Sequence, residues 1–174
     1  FTNPKLSDRR AGWTVDSDDE SVWIPPIMAS PDVNENAVFL AGGNANGGAG
    51  SHIIKLTNLF NDITPEQLPF DFKDESAGGE VSALGLAKNK SNHWYAATTN
   101  GRFFYSNDSG QNWEQSINFI PDGHYLYGQA IEVSKKDSKT VYLGGSGYSG
   151  PACFISTDGG ENFQALNDSL PPTL

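Results

Sequence analysis

The sequence predicts an all-β protein made of short strands joined by tight turns. Three observations favour this class. First, the 174 residues include 19 glycines and 10 prolines, and only 37% are hydrophobic, so turns are frequent and apolar runs are short. Second, an eight-residue pattern occurs twice along the chain. Third, three runs of β-forming residues recur at similar places before or near such turns.

The repeated pattern is typical of a turn between two antiparallel strands. The Asp carboxylate can accept hydrogen bonds from N–H groups of the turn, and the Gly adopts a positive φ at little cost. The aromatic residue then returns to the packed layer. The two copies read Ser106-Asn-Asp108-Ser-Gly110-Gln-Asn-Trp113 and Ser156-Thr-Asp158-Gly-Gly160-Glu-Asn-Phe163.

The surrounding segments extend each turn into a unit of four strands. Each unit begins with an apolar segment, passes through a short polar turn, and continues with a second β-forming run. The first segments are Trp23 to Ala29, Val81 to Ala87 and Tyr127 to Val133, and the second runs begin at Ala37, His93 and Thr140. A third strand, the repeated turn and a fourth strand complete the unit, so three units are predicted.

The pattern Ser/Thr-x-Asp-x-Gly-x-x-Trp/Phe resembles the Asp box, or BNR repeat. This repeat is found in β-propellers such as sialidases, xyloglucanase-like glycoside hydrolases, sortilin-type receptors and a photosystem assembly factor. The resemblance implies three four-stranded antiparallel blades, with box turns between strands three and four. It implies a structural role for Ser106, Asp108, Gly110, Trp113, Ser156, Asp158, Gly160 and Phe163.

The blades divide the chain into four stretches. Residues 1–21 are predicted to be the end of a preceding blade and a linker, and residues 22–79 a blade with a degenerate box. Residues 80–124 are predicted to form a blade with a box, and residues 125–174 a third blade with a linker to a next one. In the degenerate box the turn from Thr57 to Asp62 does not carry the Gly and the aromatic residue at the expected positions, so we expect a looser turn.

Three blades are too few to close a ring, because known propellers contain at least four. The sequence is therefore expected to be a segment of a larger propeller, whose other blades this chain lacks. An alternative is that two copies pair into a six-bladed ring.

The charge distribution argues against several partners. The net charge is −10 and the 11 basic residues are scattered, so we expect no nucleic-acid partner. No apolar run is long enough to suggest membrane insertion. The acidic run from Asp16 to Glu20 lacks the spacing of a calcium loop, and His52, His93 and His124 lack zinc spacing. No metal and no cofactor is predicted.

In the resembled propellers the box turns lie on the face opposite the usual active site. Ligand-binding residues are therefore predicted in the loops between strands two and three and between blades, which we call the loop face. Aromatic rings there can stack on sugars while polar groups orient hydroxyls. The candidates are Asn44, Asn46, Asp122, His124, Tyr125 and Tyr148. Alternatively, Tyr125 and Tyr127 pack between blades, Tyr148 packs over Pro151, and the loop 44–50 is merely flexible.

Catalysis is not assigned to particular residues. A glycosidase needs two carboxylates across a cleft, and Asp71, Asp74, Glu75 and Asp122 lie on the correct face without a context that selects a pair. Sialidases use three arginines to bind the substrate carboxylate, whereas the three arginines of this chain are Arg9, Arg10 and Arg102, two of which are adjacent.

The sequence thus favours a non-catalytic segment of an extracellular or cell-surface propeller that binds a glycan or a protein. One alternative is part of a xyloglucanase-like or sialidase-like glycoside hydrolase whose missing blades complete its catalytic carboxylates. Another is a protein-docking scaffold.

Overall fold

The computed structural model describes residues 25–45, 49–59, 62–119, 127–146 and 151–166. Within these ranges the chain forms twelve strands and one short helix. The first sheet contains β1 (Ile27–Ala29), β2 (Val38–Ala41), β3 (Ile53–Thr57) and β4 (Thr64–Gln67). Helix α1 (Phe72–Glu75) follows. The second sheet contains β5 (Val81–Leu86), β6 (Trp94–Thr98), β7 (Phe103–Ser106) and β8 (Glu114–Gln115). The third contains β9 (Tyr127–Val133), β10 (Val141–Ser146), β11 (Cys153–Ser156) and β12 (Gln164–Ala165).

Each sheet is an antiparallel meander in which every strand pairs with the next one along the chain. The third sheet has the same order, from β9 to β12. The predicted fold class, all-β with three four-stranded antiparallel blades, is confirmed. The repeated turns lie between β7 and β8 and between β11 and β12.

The first strand of the third sheet packs closely on the second sheet. A Cβ atom added to Gly85 of β5 would overlap with Ile131 Cγ2 of β9. One added to Gly128 of β9 would lie 2.7 Å from the Cβ atom of Ala97. These two glycines are needed because only a residue without a side chain allows the backbones this near to each other.

Two apolar clusters join the three sheets. The cluster between the first and second sheets contains Phe39, Phe72, Trp94, Phe104 and Trp113. The cluster between the second and third sheets contains Tyr95, Phe103, Phe119 and Leu143, with Phe154 and Phe163 packed against it. Burial of these aromatic rings is the main stabilising contribution that the sheets receive from one another.

One local feature differs from the sequence-based expectations, and another was not foreseen by them. The linker after β4, read from the sequence as a loop, contains helix α1, which Asp71 caps and Phe72 anchors in the core. In the degenerate turn of the first sheet, Asn58 adopts a φ of 54° and so takes the left-handed conformation without a glycine. Its Nδ2 donates a 3.0 Å hydrogen bond to Thr64 Oγ1. The residues 60–61 of that turn lie outside the described ranges.

Candidate functional site

Most of the predicted ligand-binding residues lie outside the described ranges. These are Asn46, Asp122, His124, Tyr125 and Tyr148. Asn44 is described, at the start of the loop between β2 and β3. Its Nδ2 atom donates a 3.0 Å hydrogen bond to the carbonyl of Ala49, across the base of the loop. Its neighbour Ala45 donates its N–H to Gln67 Oε1 at 2.7 Å, so the start of the loop is held against β4.

The described part of the loop face is organised around Asp71. One carboxylate oxygen, Oδ1, accepts hydrogen bonds of 2.9 Å from the N–H groups of Ser51 and Lys73. The other, Oδ2, lies 3.5 Å from Nε2 of His52. The His52 ring is buried, and its Nδ1 atom lies 3.2 Å from the carbonyl oxygen of Leu68. Asp71 thereby fixes the linker after β4 onto the segment that leads into β3.

Sequence reasoning missed this pair, because it considered His52 only as a possible zinc ligand and found that it lacked the spacing for one. A topological signal could have revealed it. His52 directly precedes the third strand of its blade, and Asp71 follows the fourth strand. In a meander these two positions lie at the same end of the sheet, so the side chains were within reach of each other.

The same end of the second sheet is also tied to the linker. Asn100, in the turn between β6 and β7, donates its Nδ2 to the carbonyl of Ser76 at 2.7 Å and accepts a 2.7 Å hydrogen bond from Thr98 Oγ1. Thr99 donates its N–H to the carbonyl of Glu80 at 2.8 Å. The described loop face is therefore a hydrogen-bonded surface whose backbone is fixed before any ligand binds.

The candidate glycosidase carboxylates do not face each other in the described residues. Asp71, Asp74 and Glu75 all lie in or next to the single turn of α1. Asp74 and Glu75 are exposed, whereas Asp71 is engaged with the backbone. They belong to one wall, while an acid and a base or nucleophile must flank a scissile bond from two sides. The fourth candidate, Asp122, lies outside the described ranges.

The repeated turns have one hydrogen-bond pattern. Asp108 Oδ1 accepts from the N–H groups of Gln111 and Asn112 at 3.1 and 2.9 Å, and from Ser106 Oγ at 2.8 Å. The Gly110 N–H donates to Ser106 Oγ at 3.0 Å. The second turn repeats the bonds among the equivalent residues Ser156, Asp158, Gly160 and Asn162.

These bonds act on the ionisation of both turn carboxylates. Burial alone would raise the pKa of Asp108, but hydrogen bonds from Asn112, Ser106 and Gln111 outweigh it and lower the pKa below its usual value. The pKa of Asp158 is lowered for the same reasons, by bonds from Asn162 and Ser156 against the effect of burial. Both carboxylates are therefore acceptors within the turn rather than proton donors for a reaction.

The second turn also docks onto the neighbouring sheet. Ser116 Oγ and the N–H of Ile117 donate to the carbonyl of Glu161 at 2.9 and 3.1 Å. The Phe163 ring packs edge-on against Phe103, with the ring centroids 4.6 Å apart. The turn thus joins the third sheet to the second.

A groove opens on this same face, between the first and second sheets. Its volume is about 260 Å³, and its lining includes the buried rings of Phe39 and Trp94. Its walls are polar: the turn after β1 supplies Asp32 and Glu35, and strands β3 and β4 supply Lys55 and Glu66. Sequence reasoning missed this groove, because its residues come from four separate segments of the chain.

One ion pair crosses the groove wall. Lys55 Nζ lies 2.5 Å from Glu35 Oε1, and Ser30 Oγ donates to Glu35 Oε2 at 2.6 Å. Burial opposes ionisation of Glu35, but the bonds from Lys55 and Ser30 prevail and lower its pKa. Glu35 is thus ionised and already paired at neutral pH.

Two kinds of site were sought in the described parts of the chain. There, no group of three His, Cys, Asp or Glu side chains is placed to hold a metal ion. The same residues include no helix that is long and apolar enough to cross a membrane.

No protein-family model matches this chain, and no curated protein does. Several solved structures match this chain. A GH74 enzyme from Niastella koreensis matches with a TM-score of 0.57 and 21% identity, over 82% of this chain and 22% of the enzyme. The GH74 xyloglucanase from Xanthomonas campestris matches with a TM-score of 0.57 and 14% identity, over 81% of this chain and 23% of the enzyme.

A structure of YCF48 bound to D1 peptide matches with a TM-score of 0.54 and 15% identity, over 84% of this chain and 39% of that one. These likenesses show the fold alone: the three sheets are β-propeller blades, like those of the GH74 enzymes and YCF48. The chain spans about a fifth of the length of the two enzymes and about two fifths of that of YCF48.

Proposed function

We propose that this chain is a non-catalytic segment of an extracellular or cell-surface Asp-box β-propeller, and that it binds a glycan on its loop face. The observation that carries this proposal is the position of Asp71, Asp74 and Glu75 on one wall, at a single turn of helix. Carboxylates arranged in this way can orient sugar hydroxyls, but they cannot attack a glycosidic bond from both sides.

The fixed backbone of this face supports a binding role. Asp71 holds the segment before β3 and the start of α1 in place, and Asn100 holds the adjacent turn of the second sheet. A surface that is ordered beforehand does not lose conformational entropy when a ligand binds. We expect Tyr125 and Tyr148 to add the stacking surfaces that sugar rings require, with Asp122, His124, Asn44 and Asn46 as polar contacts.

The fold of GH74 enzymes makes a β-glucan the first ligand to test, since one of these neighbours is a xyloglucanase. The experiment measures retention of the chain on immobilised xyloglucan and on a glycan array. We expect binding by the wild type and its loss in a variant carrying Asp122→Ala, Tyr125→Ala and Tyr148→Ala. If that variant binds as well as the wild type while its circular dichroism is unchanged, the site is wrong.

A second candidate is docking of a peptide, which the likeness to YCF48 bound to D1 peptide favours. It predicts that the loop face captures an extended peptide and ignores xyloglucan. The third possibility, a glycoside hydrolase completed by further blades, predicts hydrolysis of a β-glucan by the full-length protein. Loss of that hydrolysis on Asp74→Asn or Glu75→Gln would place one of its carboxylates in this chain.

A further inference from the structure

We infer that the groove between the first and second sheets is a second binding site, on the face opposite the proposed glycan site, and that it takes a cationic side chain of a basic peptide. This inference is independent of the proposed function, because it uses other residues and another face. The groove, which we call the rear groove, is defined by Asp32, Glu35, Phe39, Lys55, Glu66 and Trp94.

The size of the rear groove limits the ligand. Its volume of about 260 Å³ is below the roughly 300 to 1,000 Å³ of sites for drug-sized molecules. It suits one long side chain or one small polar group. The buried rings of Phe39 and Trp94 contribute to its lining and can cover the methylene groups of a long side chain.

The charges of the residues that line the rear groove favour a positively charged ligand. Three carboxylates, those of Asp32, Glu35 and Glu66, and one ammonium, that of Lys55, leave a formal charge of −2. The ammonium is already paired with Glu35. Glu66 is exposed, and no described residue forms an ion pair with it. A guanidinium or ammonium group entering the rear groove therefore meets a carboxylate that is available for pairing.

Neighbouring hydroxyl and amide groups suit such a cation as well. Ser91, Ser109 and Gln111 of the second sheet complete the opposite wall. Their side-chain oxygens are acceptors for the several N–H donors of a guanidinium. The net charge of −10 on the whole chain favours the approach of basic partners.

The test titrates the intact chain with the peptide acetyl-Gly-Arg-Gly-amide and with its neutral citrulline analogue. The indole N–H resonance of Trp94, assigned with Trp94→Phe, reports occupancy. We expect the arginine peptide to shift this resonance, the citrulline peptide not to shift it, and added salt to weaken the effect. The corresponding lysine and acetyl-lysine peptides separate an ammonium from a guanidinium requirement.

A pair of variants locates the contact. Glu66→Gln should weaken binding of the arginine peptide about three- to fivefold, as expected for an exposed ion pair. Glu132→Gln, at an exposed carboxylate of the third sheet, should leave it unchanged. Equal shifts by the arginine and citrulline peptides, no shift by either, or equal affinities of the two variants would each overturn the inference. None of these results bears on glycan binding at the loop face.

Discussion

The hydroxyl oxygen of Ser51 accepts a 2.9 Å hydrogen bond from the main-chain N–H of Val81, and both residues have no exposed surface. This bond joins the segment before β3 of the first sheet to the first residue of β5 in the second. Because Asp71 holds the N–H of Ser51 itself, the linker, the first sheet and the second sheet meet at one residue.

Replacement of Ser51 tests this junction. Ser51→Ala leaves the buried N–H of Val81 without an acceptor, so we expect the free energy of unfolding to fall by about 1–3 kcal/mol. Ser91→Ala, at an exposed serine, is the matched control and should change stability by less than about 0.5 kcal/mol. Urea unfolding followed by circular dichroism measures both. Equal midpoints for the two variants would contradict the proposed importance of the bond.

The glycine of the second repeated turn offers another test. Gly160 has a φ of 93°, and an added Cβ would lie 2.8 Å from Phe103 Cε1 of the neighbouring sheet. Gly160→Ala should therefore cost about 2–4 kcal/mol, combining backbone strain with overpacking.

Gly144→Ala provides the comparison for Gly160→Ala in the same unfolding experiment. Among the described residues, an added Cβ at Gly144 meets no atom within 4 Å, and alanine suits a strand better than glycine does. Its stability should equal or slightly exceed that of the wild type. A Gly160→Ala protein as stable as Gly144→Ala would show that the turn does not pack on Phe103 as described.

The lowered pKa values of the turn carboxylates predict that the stability of the protein decreases at acidic pH. The folded-state pKa of Asp108 is lowered. Its ionised form therefore stabilises the protein above the unfolded-state pKa, which is near 3.8. This contribution is lost as the pH falls through the folded-state pKa. Asp108→Asn should be less stable than the wild type by about 1 kcal/mol at neutral pH, with a smaller decline in acid. Asp62→Asn, at an exposed carboxylate, should follow the wild-type curve. Parallel curves for Asp108→Asn and the wild type would refute this role.

A buried histidine predicts a second pH effect, nearer to neutrality. His93 is 4% exposed, and its Nδ1 atom has no hydrogen-bond partner among the described residues. Burial first, and then Lys90 and Lys139, lower its pKa below 6.5, while Asp137 opposes them. Folding therefore favours the neutral form of His93, and its protonation lowers stability.

The direction of this pH effect follows from the linkage between proton binding and folding. The unfolded chain binds the His93 proton first, so stability is full above about pH 6.5 and declines as the pH falls towards the lowered folded-state pKa. His93→Gln removes this contribution, and its unfolding midpoint should change less than that of the wild type between about pH 7.5 and pH 5.5. Chemical denaturation at the two pH values measures the difference. An identical change in both proteins would exclude His93 as the cause.

Much of the fold follows from local patterns in the sequence. The strand β9 spans Tyr127–Val133, where the sequence predicts the first apolar segment of a unit, and the repeated turns lie between third and fourth strands. In such segments strand propensity, glycine position and aromatic burial favour the same structure. Tyr127 lies in this strand, as the packing alternative expected.

The remaining features depend on contacts between distant segments. Helix α1 is only four residues long, too short to show helical periodicity. It forms because Asp71 caps it and Phe72 is buried against Phe104 and Trp113. The His52–Asp71 pair and the rear groove likewise arise from residues that only the meander brings together.

The measurement that tests the central claim most directly is the affinity for a xyloglucan oligosaccharide, by titration calorimetry, of two variants with changes on opposite faces. The account predicts that the variant with Asp122→Ala, Tyr125→Ala and Tyr148→Ala loses binding, and that Glu66→Gln, on the rear groove, binds as the wild type does. Retained affinity in the triple variant, or its loss in Glu66→Gln, would contradict glycan binding on the loop face.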